Sequence, residues 1–378
     1  MRILVLNHEF PPIGGGGGRA AEHICKTLAG RGYEIEVLTS HLKGLTREER
    51  RDGYHITRVP CLRTQPFKAS FLSMGLYVLA GLWASSRFIR ASHPDLIHVH
   101  FAVPAGPLAW MLSKLHRIPY VLTAHLGDVP GGTPEKTGGW FRFVFPFTRP
   151  IWRDADAVVA VSEFTRGLAL KHYRTEIKVI PNGVDLETRS PESIRVNPLP
   201  RIVFAGRFMA QKAPVQIVRI LGGLSDLPWE CVMIGDGPLM DDVKKEISSR
   251  GLEGRFHLTG WIDPQQVLDW FEKSDILFMP SLSEGLPVVG VQALSRGLAI
   301  IASKIGGFLD LIDHGRNGYM VEVGNTDQFV SHLRELLLDR EKLLAFRKSS
   351  LEKSANFDIN RVADEYEKVF AKAAMMAK

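Results

Sequence analysis

Short apolar runs of strand length alternate with helical stretches from the first residues onward, and that alternation permits few folds. Ile3–Leu6, Glu34–Thr39, Asp95–His100, Tyr120–Thr123 and Ala157–Val161 read as strands, and Arg19–Ala29 as the first helix. The gaps between these strands leave room for crossover helices. Regular β-α alternation builds a parallel sheet covered on both faces. Between Asp185 and Pro200 the pattern breaks, with Pro191, Pro198 and Pro200 among polar residues. It then restarts at Arg201–Ala205, Glu230–Ile234, Arg255–Leu258, Asp275–Met279 and Leu298–Ala302. A chain of 378 residues is too long for one ordinary core. The expectation is an α/β protein with two doubly wound parallel-sheet domains in tandem and a cleft between their strand ends. Residues 1–188 and 196–356 are the two domains. From about Thr326 to Ala373 apolar residues recur at helical spacing, so this tail packs as helices.

Composition narrows the class. Hydrophobic residues make up 45% and charged residues 23%, as in a soluble globular protein. The net charge of +6 suits anionic substrates or peripheral contact with an anionic membrane, and does not by itself indicate nucleic acid. Cys25, Cys61 and Cys231 are odd in number and widely spaced, which gives neither a disulfide framework nor a metal site and fits a reducing cytoplasm. Met1–Asn7 is a strand-length run without a cleavage-site pattern, so it does not read as a secretory signal. Ala69–Ser86 carries no charge, yet serines and glycines dilute it and its length barely reaches that of a membrane span. It reads as a buried or half-buried helix.

Several segments carry chemistry. Pro280–Ala293 follows a strand and enters a helix, so a carboxylate (Glu284), a glycine turn and a helix N-terminus meet at a strand's C-terminal edge. Open α/β sheets bind ligands there. Backbone N–H groups attract phosphate oxygens, while Glu284 can accept hydrogen bonds from sugar hydroxyls. Together these requirements describe a nucleotide-sugar site. Gly206–Lys212 follows the first strand of the second domain, and Arg207 and Lys212 offer a planar fork and a point charge for a diphosphate. Gly14–Gly18 joins the first strand to the first helix, where absent side chains let backbone approach a ligand. Arg19 stands where a third fingerprint glycine would fall, and no Gly-Lys-Ser/Thr follows, so neither a dinucleotide fingerprint nor a P-loop is present. His125 follows a strand in Thr123–Asp128. His98 and His100 end another strand and read as lining or structural residues. Asp154-Ala155-Asp156 reads as a helix-ending pair of acids, and no histidines have zinc-ligand spacing. Trp140–Arg153 mixes aromatics with arginines; such a stripe could lie in a lipid headgroup region, and reads rather as a crossover helix with a solvated basic face.

The order of these pieces resembles the retaining GT-B glycosyltransferases of family 4 over nearly the whole chain. The matching elements are Gly15-Gly16 after Pro11-Pro12, the Thr123–Asp128 histidine loop, Val161-Ser162-Glu163, Ile180–Asp185, Gly206-Arg207 with Lys212, Gly235–Pro238 and the Glu284 segment. The resemblance implies that Glu284 contacts donor-sugar hydroxyls, Arg207 and Lys212 clamp the diphosphate, and His125 lies near the reacting centre. Gly15, Gly16 and Gly17 would face diphosphate and acceptor. Asp128, Gly206, Gly235, Gly285, Leu286, Pro287, Val288 and Gln292 would complete the substrate site. A C-terminal helix, about residues 358–378, would pack back on the first domain. Lys43–Asp52 and Val129–Gly139 would be the variable loops that shape the acceptor site.

Three positions depart from the family pattern. Gln292 replaces the second glutamate of E-x7-E, which usually grips the ribose. Gly285-Leu286-Pro287 replaces the more usual Gly-Phe-Gly-Leu-Pro run. Ala213 replaces a glycine after the clamp lysine. A neutral amide can still bond ribose hydroxyls, but without the charge assistance that roughly doubles such bonds.

The implied activity is transfer of a hexose from a UDP- or GDP-linked donor to a hydroxyl acceptor, lipid-linked or soluble, with retention and without metal or other cofactor. A sugar-nucleotide epimerase of similar fold and an inactive nucleotide-sugar-binding module at a membrane surface are the alternatives.

Overall fold

The computed structural model describes residues 1–66, 69–133, 141–186 and 193–376. Trp140, the acceptor-loop segment from residue 134 to 139 and Pro191 lie outside them. Along the chain the elements are β1 (Arg2–Leu6), α1 (Gly16–Gly30), β2 (Glu34–Leu42), β3 (Glu48–Arg51), β4 (Tyr54–Arg63), α2 (Phe71–Ser92), β5 (Leu96–His100), α3 (Ala105–His116), β6 (Tyr120–Ala124), α4 (Phe141–Arg153), β7 (Ala157–Ala160), α5 (Glu163–Leu170) and β8 (Ile177–Val179). There follow β9 (Arg201–Ala205), α6 (Pro214–Gly222), β10 (Glu230–Ile234), α7 (Met240–Ser249), β11 (Phe256–Gly260), α8 (Pro264–Glu272), β12 (Ile276–Met279), α9 (Val288–Ser295), β13 (Ala299–Ser303), α10 (Phe308–Leu311), β14 (Gly318–Val321), α11 (Thr326–Leu338), α12 (Arg340–Ser354) and α13 (Ile359–Met376). Contacts divide the chain into Met1–Gly183 with Ile359–Lys378, and Val184–Asp358.

The first unit's sheet runs β3-β4-β2-β1-β5-β6-β7-β8, parallel except for the β3–β4 pair. Every residue of β5 and β6 is buried because helices cover both faces. One core takes Tyr77 from α2, Leu108 from α3, Trp152 from α4 and Ala169 from α5. The other takes Ile24 from α1 and Tyr366 and Phe370 from α13, so the last helix packs on the first sheet. Trp152 stacks on Tyr173 with centroids 4.2 Å apart, which makes this member of the aromatic-arginine stripe a core residue.

Two sequence expectations are corrected by the structure, and a third shifts only in its bounds. Lys43–Asp52 is not all loop: Glu48–Arg51 forms an antiparallel edge strand. Its Glu-Glu-Arg-Arg sequence has no apolar alternation to betray it. Ion pairs hold it instead, across the strands from Arg58 to Glu49 at 2.7 Å and onto α1 from Arg51 to Glu22 at 3.0 Å. The first helix starts at Gly16, so the glycine run is loop only as far as Gly15. The apolar helix expected at Ala69–Ser86 runs from Phe71 to Ser92 and is half-buried, resting on β4 and α3. By length and composition it could cross a bilayer, but its Tyr77–Ile89 face is packed into the first core.

The second unit's sheet is all parallel, in the order β11-β10-β9-β12-β13-β14. The order reverses between β9 and β12, which opens a crevice at the strands' carboxyl ends. In the first unit the equivalent reversal lies between β1 and β5.

Candidate active site

In the second unit the loops after β9 and β12, on the two sides of the switch point, hold the segments that the sequence singles out. Lys212 ends a short 3-10 turn, Ala210–Lys212, and its Nζ donates to Glu284 Oε1 at 2.5 Å. Both groups are largely withdrawn from water, with side chains 15% and 6% exposed. Gln211, which the sequence gave no reason to select, clips these loops together. Its Nε2 donates to the Ser283 carbonyl at 2.9 Å, and its own carbonyl accepts from the Leu282 amide at 2.8 Å. Ala213 has φ +48°, a left-handed conformation that glycine adopts more readily, and Pro214 then starts α6. Arg207 lies half-buried in the same β9 loop.

Glu284 also needs close backbone approach from the loop after β13. A Cβ at Gly306 would sit 1.6 Å from the Glu284 carbonyl oxygen, and one at Gly307 2.0 Å from that of Gly285. Pro287 caps α9, whose N-terminus has no side-chain cap and so favours an anion, although the Gly290 amide bonds back to the Pro287 carbonyl at 2.9 Å. Gly285, Leu286 and Val288 complete this turn. Gln292 is half-buried in the second turn of α9. Gly235 is buried at φ +125°, and a Cβ there would meet the Gly206 carbonyl oxygen at 2.1 Å. Its role is to let the loops after β9 and β10 close on each other.

In the first unit, β1, β5 and β6 bring the glycine run and His125 together. A Cβ on Gly17 would lie 2.5 Å from Phe101 Cζ and 3.2 Å from His125 Nδ1, so only glycine leaves the ring its place. Gly14 and Gly18 instead pack on the Glu9 backbone, while Gly15 and Gly16 form the uncapped start of α1. The other His125 nitrogen, Nε2, is 3.0 Å from His100 Nδ1. One of the two donates and the other accepts, so the tautomers of His100 and His125 are coupled. His100 thus lines the His125 loop, in keeping with the reading of His98 and His100 as lining or structural residues. Behind it His98 Nε2 meets Thr123 Oγ1 at 2.9 Å, and Thr123 Oγ1 meets the Tyr366 hydroxyl at 3.2 Å. Burial holds the imidazoles of His98, His100 and His125 well below the ordinary histidine range, so all three are neutral at physiological pH.

Asp128 is corrected as a substrate-binding residue. It is 1% exposed, and its carboxylate accepts from the backbone amides of His125 at 2.9 Å and Ala102 at 2.8 Å. It shapes the histidine loop. Asp154 and Asp156 are structural as well. Asp154 accepts from Arg153 at 2.7 Å and Trp110 at 3.0 Å, and Asp156 from the Tyr120 amide at 2.9 Å. The Arg153 bond, foremost, holds the Asp154 carboxyl well below its usual range. Among the described residues no group of three metal-ligating side chains gathers.

Two Rossmann-like units with these switch-point loops define the GT-B class of fold. A sucrose-phosphate synthase from Thermosynechococcus elongatus superposes with a TM-score of 0.86 over 98% of both chains at 17% identity. Anabaena HepE in complex with UDP and glucose does so with a TM-score of 0.77 at 19% identity, over 98% of this chain and 99% of that one. The profile of Glycosyltransferase Family 4 matches residues 14–188, and that of Glycosyl transferases group 1 matches residues 187–353. The chain belongs to the family 4, group 1 glycosyltransferases. It is 33% identical over 233 residues to a Bacillus subtilis protein assigned as the teichuronic acid biosynthesis glycosyltransferase TuaC, spanning 59% of this chain and only 56% of that protein. It is 24% identical to the N-acetyl-alpha-D-glucosaminyl L-malate synthase of Bacillus anthracis over 98% of this chain and 97% of the relative.

Proposed function

We propose that the protein transfers a hexose from a UDP- or GDP-linked sugar to a hydroxyl acceptor with retention at the anomeric carbon, in glycan, glycolipid or cell-envelope biosynthesis. The observation that carries this reading is the Lys212–Glu284 pair between the β9 and β12 loops, with Arg207 in the same β9 loop and an uncapped α9 N-terminus following Glu284. A diphosphate needs cations and amide donors, a sugar needs a carboxylate, and the two requirements meet there. In the reaction the bond from the anomeric carbon to the diphosphate oxygen breaks, and one to the acceptor oxygen forms. The acceptor proton passes to the departing phosphate. Arg207, Lys212 and the α9 amides stabilise charge growing on the leaving group, which is the larger catalytic contribution in such sites. Neutral His125 orders the sugar near its reacting carbon. The HepE structure with UDP and glucose supports a uridine donor as the first to test.

The test is a thermal-shift screen of UDP, GDP and ADP with their hexose conjugates, followed by transfer assays in EDTA. One nucleotide at about a hundred times its Kd should stabilise the protein by about 2.7 kcal/mol. Transfer should persist in EDTA because protein cations face the diphosphate. A protein stabilised by none of the nucleotides would overturn the reading, and formation of an epimer from donor alone would replace it.

Gly17→Ala tests the first unit's share. The added methyl must push aside Phe101 or His125, and a displacement of about 1 Å costs on the order of 100-fold in rate. We expect kcat to fall at least tenfold with thermal stability nearly unchanged, since alanine favours the α1 helix. Unchanged kcat would show that the methyl is accommodated without displacing His125; a His125→Ala protein with unchanged kcat would remove His125 from the reacting centre.

A further inference from the structure

Helix α2 is built inside out. Its packed stripe is Ser73, Tyr77, Gly81, Ser85 and Ile89, three of them serine or glycine. Small residues are needed there, because a Cβ on Gly81 would come within 2.6 Å of Leu108 Cδ2. The opposite stripe carries the large apolar side chains: Leu72, Leu79 and Trp83 are 64%, 67% and 70% exposed. Amphipathic helices of globular proteins place such residues on the core. These three span about 16 Å of helix. The same stripe continues one turn further into Arg87 and Arg90, both exposed.

The neighbouring helix extends this surface. His116 Nε2 meets Ser86 Oγ at 3.2 Å, which fixes the end of α3 beside α2. Leu115, 65% exposed, and exposed Arg117 stand at that end. Neither α2 nor α3 contains an aspartate or glutamate. An apolar stripe with a tryptophan, bordered by arginines and free of acids, is complementary to acyl chains beneath anionic headgroups.

We propose that α2 docks the protein on an anionic lipid surface, lying in the interface with Leu72, Leu79 and Trp83 in the acyl boundary and Arg87, Arg90 and Arg117 among the headgroups. The helix does not cross the bilayer, because its other face is part of the first core. The proposal stands on this surface and does not depend on the glycosyl-transfer reading.

Co-sedimentation of the full chain with vesicles tests it, using phosphatidylcholine alone and phosphatidylcholine with phosphatidylglycerol. The expected result is binding to the anionic vesicles at least tenfold tighter than to the neutral ones, weakened by salt. Leu79→Gln with Trp83→Gln should reduce binding at least tenfold. Arg87→Gln with Arg90→Gln should remove the preference for anionic lipid. These exposed positions should leave the thermal transition and nucleotide binding unchanged. Absence of vesicle binding at low salt, or binding indifferent to the Leu79/Trp83 variant, would overturn the proposal. So would sedimentation as a dimer that this variant dissolves, since a second copy would then be the occupant.

Discussion

Glu284→Ala is expected to lower kcat/KM for glycosyl transfer by about 10²–10³, and Lys212→Ala by a similar factor, the range seen when one preorganised charge-stabilising group is removed. The two losses have different origins. Without Glu284 the sugar hydroxyls lose a charged acceptor, while Lys212 can still turn toward the diphosphate. Without Lys212 the leaving group loses a cation, and Glu284, only 6% exposed, keeps a buried charge without its ammonium partner. Lys212→Ala should therefore also destabilise the second unit, whereas Glu284→Ala should do so less. Breaking one side of a buried pair costs about 3–5 kcal/mol, and replacing both sides with apolar residues is often neutral. The double variant Lys212→Met with Glu284→Leu should then regain most of the lost stability and none of the activity. Transfer assays paired with thermal denaturation separate these effects. Glu284→Ala retaining more than a tenth of wild-type kcat/KM would remove Glu284 from donor recognition.

The second large effect is on stability alone. Asp275 stands at the start of β12, the opposite end from the Glu284 loop, and is fully buried. Its carboxylate accepts from the Arg201 amide at 2.8 Å, from the Asn197 amide at 3.1 Å and from Asn197 Nδ2 at 2.9 Å, and it pairs with the Arg347 guanidinium. Arg347 also donates to the Gly297 carbonyl at 2.8 Å and the Arg195 carbonyl at 2.6 Å, so one hub joins β9, β12, α12 and the segment before β9. Asp275→Ala should destabilise the second unit by about 3–5 kcal/mol, because it leaves a buried guanidinium and three donors without their acceptor. Asp275→Asn keeps an acceptor and should cost less. Denaturation monitored for the second unit checks this, because a chain of two units need not unfold in one step. Below the transition, kcat/KM per folded molecule should stay within about twofold of wild type. An Asp275→Ala protein as stable as the parent would show that the hub contributes little.

Much of this architecture was legible because apolar runs report burial directly. Strands such as Ile202–Phe204 and Ile276–Met279 are buried on both faces, and an uninterrupted apolar run is the mark of that environment. Edge elements left no such mark. Glu48–Arg51 is a strand held by ion pairs, and the edge strands β8 and β14 were likewise unread, as was β4, which lies inside the sheet between β3 and β2. At the site, Lys212 and Glu284 could be selected because each follows a strand, where parallel sheets expose loops. Asp128 looked like a ligand group for the same reason and proved to be bound to backbone amides.

The sequence by itself determined the two β-α series, the loops at their strand ends and the charges within those loops. These are local properties of spacing and residue type. Only the tertiary structure decided which loops meet, because strand order is not sequence order. It set β9 against β12 and thereby Lys212 against Glu284, residues 72 positions apart. It set β5 beside β6, which put His100 on His125, and laid α13 on the first sheet. It also decided which face of α2 meets the core. Periodicity gives a helix its stripes, but here the small residues went inward, because close packing against α3 outweighed burial of Leu79 and Trp83.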